Sequence, residues 1–106
     1  MRRGEVRWYK FAQPNKRRPV LILTRNSAIE YLGDVTIAPT TTRLRDIPTQ
    51  VVVTEQEGMP RDSAISLDHL QTVSQRKVGS LIMTLPSSKL AAVERALLFA
   101  LGFRLD

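Results

Sequence analysis

Polar and apolar positions alternate through most of this chain at the period of two that a half-buried strand requires, and turn helical only near its end. Glu5 to Phe11 sets Val6, Trp8 and Lys10 on one face and Arg7, Tyr9 and Phe11 on the other. Gln13-Pro14-Asn15-Lys16 reads as a turn. Pro19 to Thr24 is a continuous apolar run, the pattern of a strand covered on both faces. Asn26-Ser27 and Gly33-Asp34 bracket a loop with room for one helical turn. Val35 to Thr42 resumes as a strand, in which Pro39 removes a ladder donor and predicts an edge or a bulge. Further strands are expected over Thr49 to Thr54, Ser63 to Leu67, Gln71 to Val73 and Val78 to Leu85. A loop over Glu55 to Pro60 separates the first two, and Gly79 is a possible bend in the last.

From Ser87 onward Leu90, Val93, Leu97 and Leu101 recur at spacings of three and four, a helical stripe. Ser87 behind Pro86 is the expected N-cap, and Gly102 the residue that closes the helix. Leu98 and Phe99 lie off the stripe, so apolar surface is left over for the core or for a second subunit. Six or seven short strands closed by one C-terminal helix predict an α+β, mainly β, molecule: a small, strongly bent barrel or sheet. The segments between the early strands are too short for crossover helices, which argues against a parallel βαβ fold.

Composition narrows the chemistry. A length of 106 residues predicts one domain over residues 1–106. The absence of cysteine removes disulfides and thiolate chemistry, and a single histidine, His69, makes a histidine-based metal site improbable. The start, Met1-Arg2-Arg3-Gly4-Glu5, has no signal-peptide stretch, and the longest apolar run, Ala96 to Phe103, is too short to span a membrane. A cytoplasmic protein with no membrane partner is expected.

Charge changes the picture most. Residues 1–53 hold ten Lys/Arg against four Asp/Glu, whereas residues 54–106 hold six of each. The excess gathers at Lys16-Arg17-Arg18, before the apolar run, and at Arg43-Leu44-Arg45, after Thr40-Thr41-Thr42. If residues 18–24 and 35–42 form one antiparallel hairpin with a symmetric loop, paired residue numbers sum to 59. Arg18 then lies opposite Thr41, with Cβ atoms about 5 Å apart. A bulge at Pro39 would shift the register and bring in Thr40 or Thr42. A permanently charged guanidinium forks onto phosphate oxygens, and a hydroxyl donates to another oxygen of the same group. Together they could stabilise the charge that develops on an RNA phosphate attacked by its neighbouring 2′-OH. That reaction needs no metal and no cofactor, and yields a 2′,3′-cyclic phosphate.

Four segments in order resemble the MazF/PemK (Kid) toxin family. Arg3-Gly4-Glu5-Val6 with Trp8, then Arg18-Pro19-Val20-Leu21-Ile22-Leu23, match its opening. Ala38-Pro39-Thr40-Thr41-Thr42-Arg43 and Ile47-Pro48-Thr49-Gln50-Val51 match its middle. Arg61-Asp62-Ser63-Ala64-Ile65 with Asp68-His69-Leu70-Gln71-Thr72-Val73 match its later part, and Ala92 to Leu97 with Leu101-Gly102 its closing helix. The resemblance implies an SH3-like barrel that dimerises. It also implies metal-independent cleavage of single-stranded RNA at short sequences, ending translation and growth, and control by a cognate antitoxin whose acidic tail covers the RNA groove. It places the catalytic arginine at Arg18 and the strand-end threonine at Thr41. Lys16, Arg17, Thr40, Thr42, Arg43, Arg45, Asp68 and His69 are the expected RNA contacts. The loop Ala12 to Arg17 is shorter than the Gly-rich loop of many members.

Other residues admit two readings. Trp8 and Tyr9 could stack bases, although a lone tryptophan in a first strand is more often core. His69 could shuttle protons or be structural, and Asp68 could cap its turn or act near the scissile bond. Arg61 and Asp62 read as a turn-stabilising pair. Glu5 could order an arginine. Two other functions compete: a gyrase-inhibitor toxin on the same barrel, using Leu98, Phe99 and Phe103–Asp106, and a non-catalytic SH3-like RNA-binding module.

Overall fold

The computed structural model describes residues 1–12 and 16–103. The turn at Gln13–Asn15 and the gyrase-type residues Arg104–Asp106 lie outside the described residues. Seven strands form a curled sheet closed by a helix: β1 (Glu5–Lys10), β2 (Arg17–Ile22), β3 (Asp34–Thr41), β4 (Gln50–Val53), β5 (Ser63–Ser66), β6 (Gln71–Ser74) and β7 (Val78–Thr84), with a short helix α1 (Asn26–Ile29) and the C-terminal α2 (Ser87–Leu101). The strand order is β4-β5-β3-β2-β1-β7, with β6 also pairing β3. All recorded pairings are antiparallel.

The apolar run in β2 is buried on both faces, as its pattern predicts. Leu21 and Leu23 enter one core with Val6, Ile65, Met83 and the α2 residues Val93 and Ala96. Val20 and Ile22, pointing the other way, enter a second core with Ile29, Val35, Ile37 and Val73.

The β2–β3 register is Val20 with Pro39, Leu21 with Ala38 and Ile22 with Ile37, each pair summing to 59. Pro39 brings neither a bulge in this ladder nor an edge strand, and the reason is geometric. Leu23 N–H donates to Thr36 O, so by alternation the hydrogen-bonded pairs are 23 with 36, 21 with 38 and 19 with 40. Pro39 belongs to a non-bonded pair, and its missing donor faces the other edge of β3. There β6 pairs as far as Ile37, and β5 pairs from Thr40 onward. The proline occupies the gap between two partners.

Two local expectations change at α2 and β7. Pro86, not Ser87, is the N-cap of α2, and no side chain caps its first N–H groups. At the other end Gly102 takes φ 79°, and the Phe103 N–H to Leu98 O and Gly102 N–H to Phe99 O bonds complete a Schellman motif. In β7 the pairing with β1 slips around Arg7 and Tyr9. A Cβ on Gly79 would stand 3.0 Å from the Trp8 carbonyl oxygen, so glycine allows the two backbones their close approach.

Candidate active site

Where β3 leaves β2 and takes up β5, the sheet end opens into a cleft of about 360 Å³. It is lined by Trp8, Lys16, Arg17, Arg18, Pro19, Thr40, Thr41, Thr42, Pro60, Arg61 and Ser63. Six of the ten residues expected to act on RNA lie in that lining: Lys16, Arg17, Arg18, Thr40, Thr41 and Thr42. Among the described residues the lining contains four cations and four hydroxyls, and no carboxylate or imidazole. It suits an anion.

The β2–β3 ladder stops at Val20 and Pro39, two residues short of Arg18. Continuing the register sets Arg18 opposite Thr41, while Thr41 itself pairs with Ala64 of β5. The three threonines then separate by environment. Thr40 is 4% exposed, and its hydroxyl donates to Pro19 O at 2.8 Å, so its hydrogen is committed to the backbone. Thr41 is half-buried, and its oxygen accepts the Arg43 N–H at 3.1 Å. Its own hydrogen is left to donate into the cleft. Thr42 is exposed. Among the described residues no acid pairs with Arg17, Arg18 or Arg61.

Arg43, Arg45, Asp68 and His69 are not in the cleft lining. The Gln50 side chain pins the loop that carries the two arginines, accepting the Arg45 N–H at 2.9 Å and donating to Arg43 O at 3.3 Å. Gln50 pairs with Ser66, whose hydroxyl lies 2.7 Å from His69 Nδ1. These groups extend from the cleft along the start of β4 and the end of β5. The Asp68 carboxylate makes no ion pair among the described residues.

Sequence reasoning gave two cleft residues other duties. Arg61 is not paired to Asp62; Asp62 accepts the Glu55 N–H at 2.8 Å, and Arg61 turns to the cleft. Trp8 is half-buried and lines the cleft, with the Arg17 guanidinium 4.7 Å above its ring. The spacing that brings them together was legible: Trp8 pairs with Pro19, which makes Arg17 its diagonal neighbour. Tyr9, by contrast, meets Phe11 edge-on at 4.8 Å and packs against the second core.

Glu5 orders an arginine, but not one in the lining. Its carboxylate accepts from Arg7 Nε at 2.8 Å and from the Arg2 N–H at 3.1 Å. Burial pushes the Glu5 carboxyl up; the Arg7 bond, the Arg2 N–H and the nearby positive charges outweigh it and hold the group below its ordinary value. Glu57 is likewise held low, by the Thr54 N–H first, against burial, with help from Lys89 of α2. Among the described residues no group of three or more metal-ligating side chains comes together, and no helix is long and apolar enough to cross a membrane.

Comparison with known proteins agrees with this geometry. Residues 2–101 match the pattern of the PemK-like, MazF-like toxins of type II toxin–antitoxin systems. Endoribonuclease MazF3 of Mycobacterium tuberculosis is 41% identical over 95 residues, covering 90% of this chain and 88% of that protein. The solved Mycobacterium tuberculosis toxin MazF-mt6 superposes with a TM-score of 0.86 at 33% identity, over 95% of this chain and 99% of the other. A mycobacterial endoribonuclease solved in complex with its cognate antitoxin shares the fold, with a TM-score of 0.90 at 23% identity over 100% of this chain and 99% of that one. A bent barrel-like sheet under one helix, with a cationic cleft at the β2–β3 end and a family match along nearly its whole length, identifies the chain as a member of the PemK/MazF-like toxins of type II toxin–antitoxin systems.

Proposed function

We propose that this toxin is a metal-independent endoribonuclease that cuts single-stranded RNA in the Arg18–Thr41 cleft. The observation that carries the reading is the placement of Arg18 with a free-donating Thr41 hydroxyl in one cationic lining. Arg18 forks onto the non-bridging oxygens of the scissile phosphate, and Thr41 donates to one of them. The 2′-oxygen attacks phosphorus as the bond to the 5′-oxygen breaks, leaving a 2′,3′-cyclic phosphate and a 5′-OH. Negative charge builds on the phosphoryl oxygens in the transition state, and both side chains are aimed at it. The described lining offers cations and hydroxyls, and water takes the 2′-OH proton and returns one to the leaving oxygen. Lys16 and Arg61 hold flanking phosphates, and Arg43, Arg45, Asp68 and His69 meet the strand beyond the cleft.

Purified protein incubated with a long single-stranded RNA in EDTA should give discrete fragments with 2′,3′-cyclic phosphate and 5′-OH ends, absent with Arg18→Ala. Intact RNA in both samples refutes the reading. A gyrase-type toxin would instead keep its toxicity in Arg18→Ala cells.

The same charge supports an acidic antitoxin segment as the cleft's second occupant, competing with RNA. A further proposed partner is a second copy of the chain. Phe99 near the end of α2 is 62% exposed and lines a depression with Pro48, Val51, Ala92 and Ala96, an apolar face that a second copy would cover. Phe99→Glu should lower the sedimenting mass to that of a monomer. A monomeric parent protein refutes pairing on this face.

A further inference from the structure

Arg17 differs from the other cleft cations in how it is held. Lys16 and Arg18 are exposed side chains with no recorded partner, whereas the Arg17 guanidinium lies over the Trp8 ring, 4.7 Å from its centre. The β1–β2 register produces this: Trp8 pairs with Pro19, and Arg17 is one same-face step further along β2. Trp8 is fixed in turn by strand pairing and by the close approach of Gly79 to its carbonyl. The result is a guanidinium whose central carbon lies over an aromatic ring, on a side chain exposed in the cleft that holds Arg18 and Thr41.

We propose that Arg17, braced by Trp8, is a stacking shelf for an RNA base beside the phosphate held by Arg18, giving a ring–guanidinium–base stack. The inference rests on the RNA reading above and adds how a base, not a phosphate, is met. Single-stranded RNA is recognised by stacking on aromatic rings and on arginine planes, and those contacts distinguish it from a bare polyanion. Stacking on Trp8 restricts the arginine's rotamers before RNA arrives, so less freedom is lost on binding. The guanidinium edge stays free to donate to a base or a phosphate oxygen. Lysine at this position would keep the charge and lose the plane.

The probes are a 2′-O-methyl oligoadenylate, whose blocked 2′-oxygens prevent cleavage, and an abasic oligomer of equal length with the same phosphates. Their affinities are compared for the parent protein, Arg17→Lys, Lys16→Gln and Trp8→Leu. The parent should prefer the oligomer with bases by roughly tenfold. Arg17→Lys should cut that preference at least severalfold at unchanged thermal midpoint, since the side chain is exposed. Trp8→Leu should do the same where it folds. Lys16→Gln should weaken both oligomers alike and keep the ratio. An Arg17→Lys protein with the parent's base preference overturns the shelf, even if RNA is still cut and Arg18→Ala is inactive. If instead no RNA is cut but the preference collapses in Arg17→Lys, the shelf stands and the nuclease reading fails.

Discussion

Neighbouring threonines on one strand have different tasks because a strand turns successive side chains to opposite faces. Thr40 points inward, and its hydroxyl donates to the Pro19 carbonyl across the β2–β3 pair. Thr41 keeps its hydrogen for the cleft. The two should therefore fail in different ways. Thr41→Ala should lower single-turnover cleavage by about a hundredfold, the usual cost of one transition-state donor, with little change in stability. Thr40→Val removes the part-buried bond to the Pro19 carbonyl and should cost about 1 kcal/mol in urea unfolding, with Thr40→Ser restoring it. A Thr40→Val protein that is fully stable but as slow as Thr41→Ala would reverse the assignment.

At the scale of the element, β1 is fastened at its start by a carboxylate that must stay charged. The bonds from Arg7 and Arg2 hold the folded-state pKa of Glu5 below its ordinary value of 4.5. A depressed carboxylate stabilises the fold fully above that ordinary value, and the gain disappears as pH falls through the lower folded value. Glu5→Gln should accordingly lower the thermal midpoint near neutrality and bring it closer to the parent's as the pH falls below 4.5. A constant difference between the two curves across that range would show that Glu5 contributes no linked proton. Strand existence and the register of β2 on β3 were legible in the sequence, because alternation and a symmetric loop fix which residues face each other. The role of Pro39 was not, since it depends on β6 and β5 meeting end to end along the far edge of β3. Arg61 was read as half of a local pair for the same reason. Sequence proximity to Asp62 is visible, but the Glu55 N–H that claims that carboxylate comes from a loop folded back on it. Trp8 was weighed as core because burial and stacking use the same residue type, and only the Arg17 contact tells them apart.

For the whole molecule, the uneven charge along the chain becomes an uneven surface. The excess cations of residues 1–53 reach the cleft through β2 and the loop before it, and the second half contributes Arg61 from a loop that closes the same opening. Four cations thus converge on one cleft, with no acid among the described residues of its lining. Each phosphate neutralised on a single strand releases counterions, with a slope of about −0.7 in log affinity against log salt per contact. If Lys16, Arg18 and Arg61 each engage a phosphate, RNA binding per protomer should fall with a slope of roughly −2, and the cations beyond the cleft, Arg43 and Arg45, would steepen it. Arg61→Gln should make the slope shallower by about 0.7 and Arg43→Gln by no more than that. Binding measured with the uncleavable oligoadenylate over a range of sodium chloride concentrations checks both. A parent slope near zero would mean that the charge gathered at this end of the sheet does not hold RNA. An Arg61→Gln slope equal to the parent's would remove Arg61 from the site.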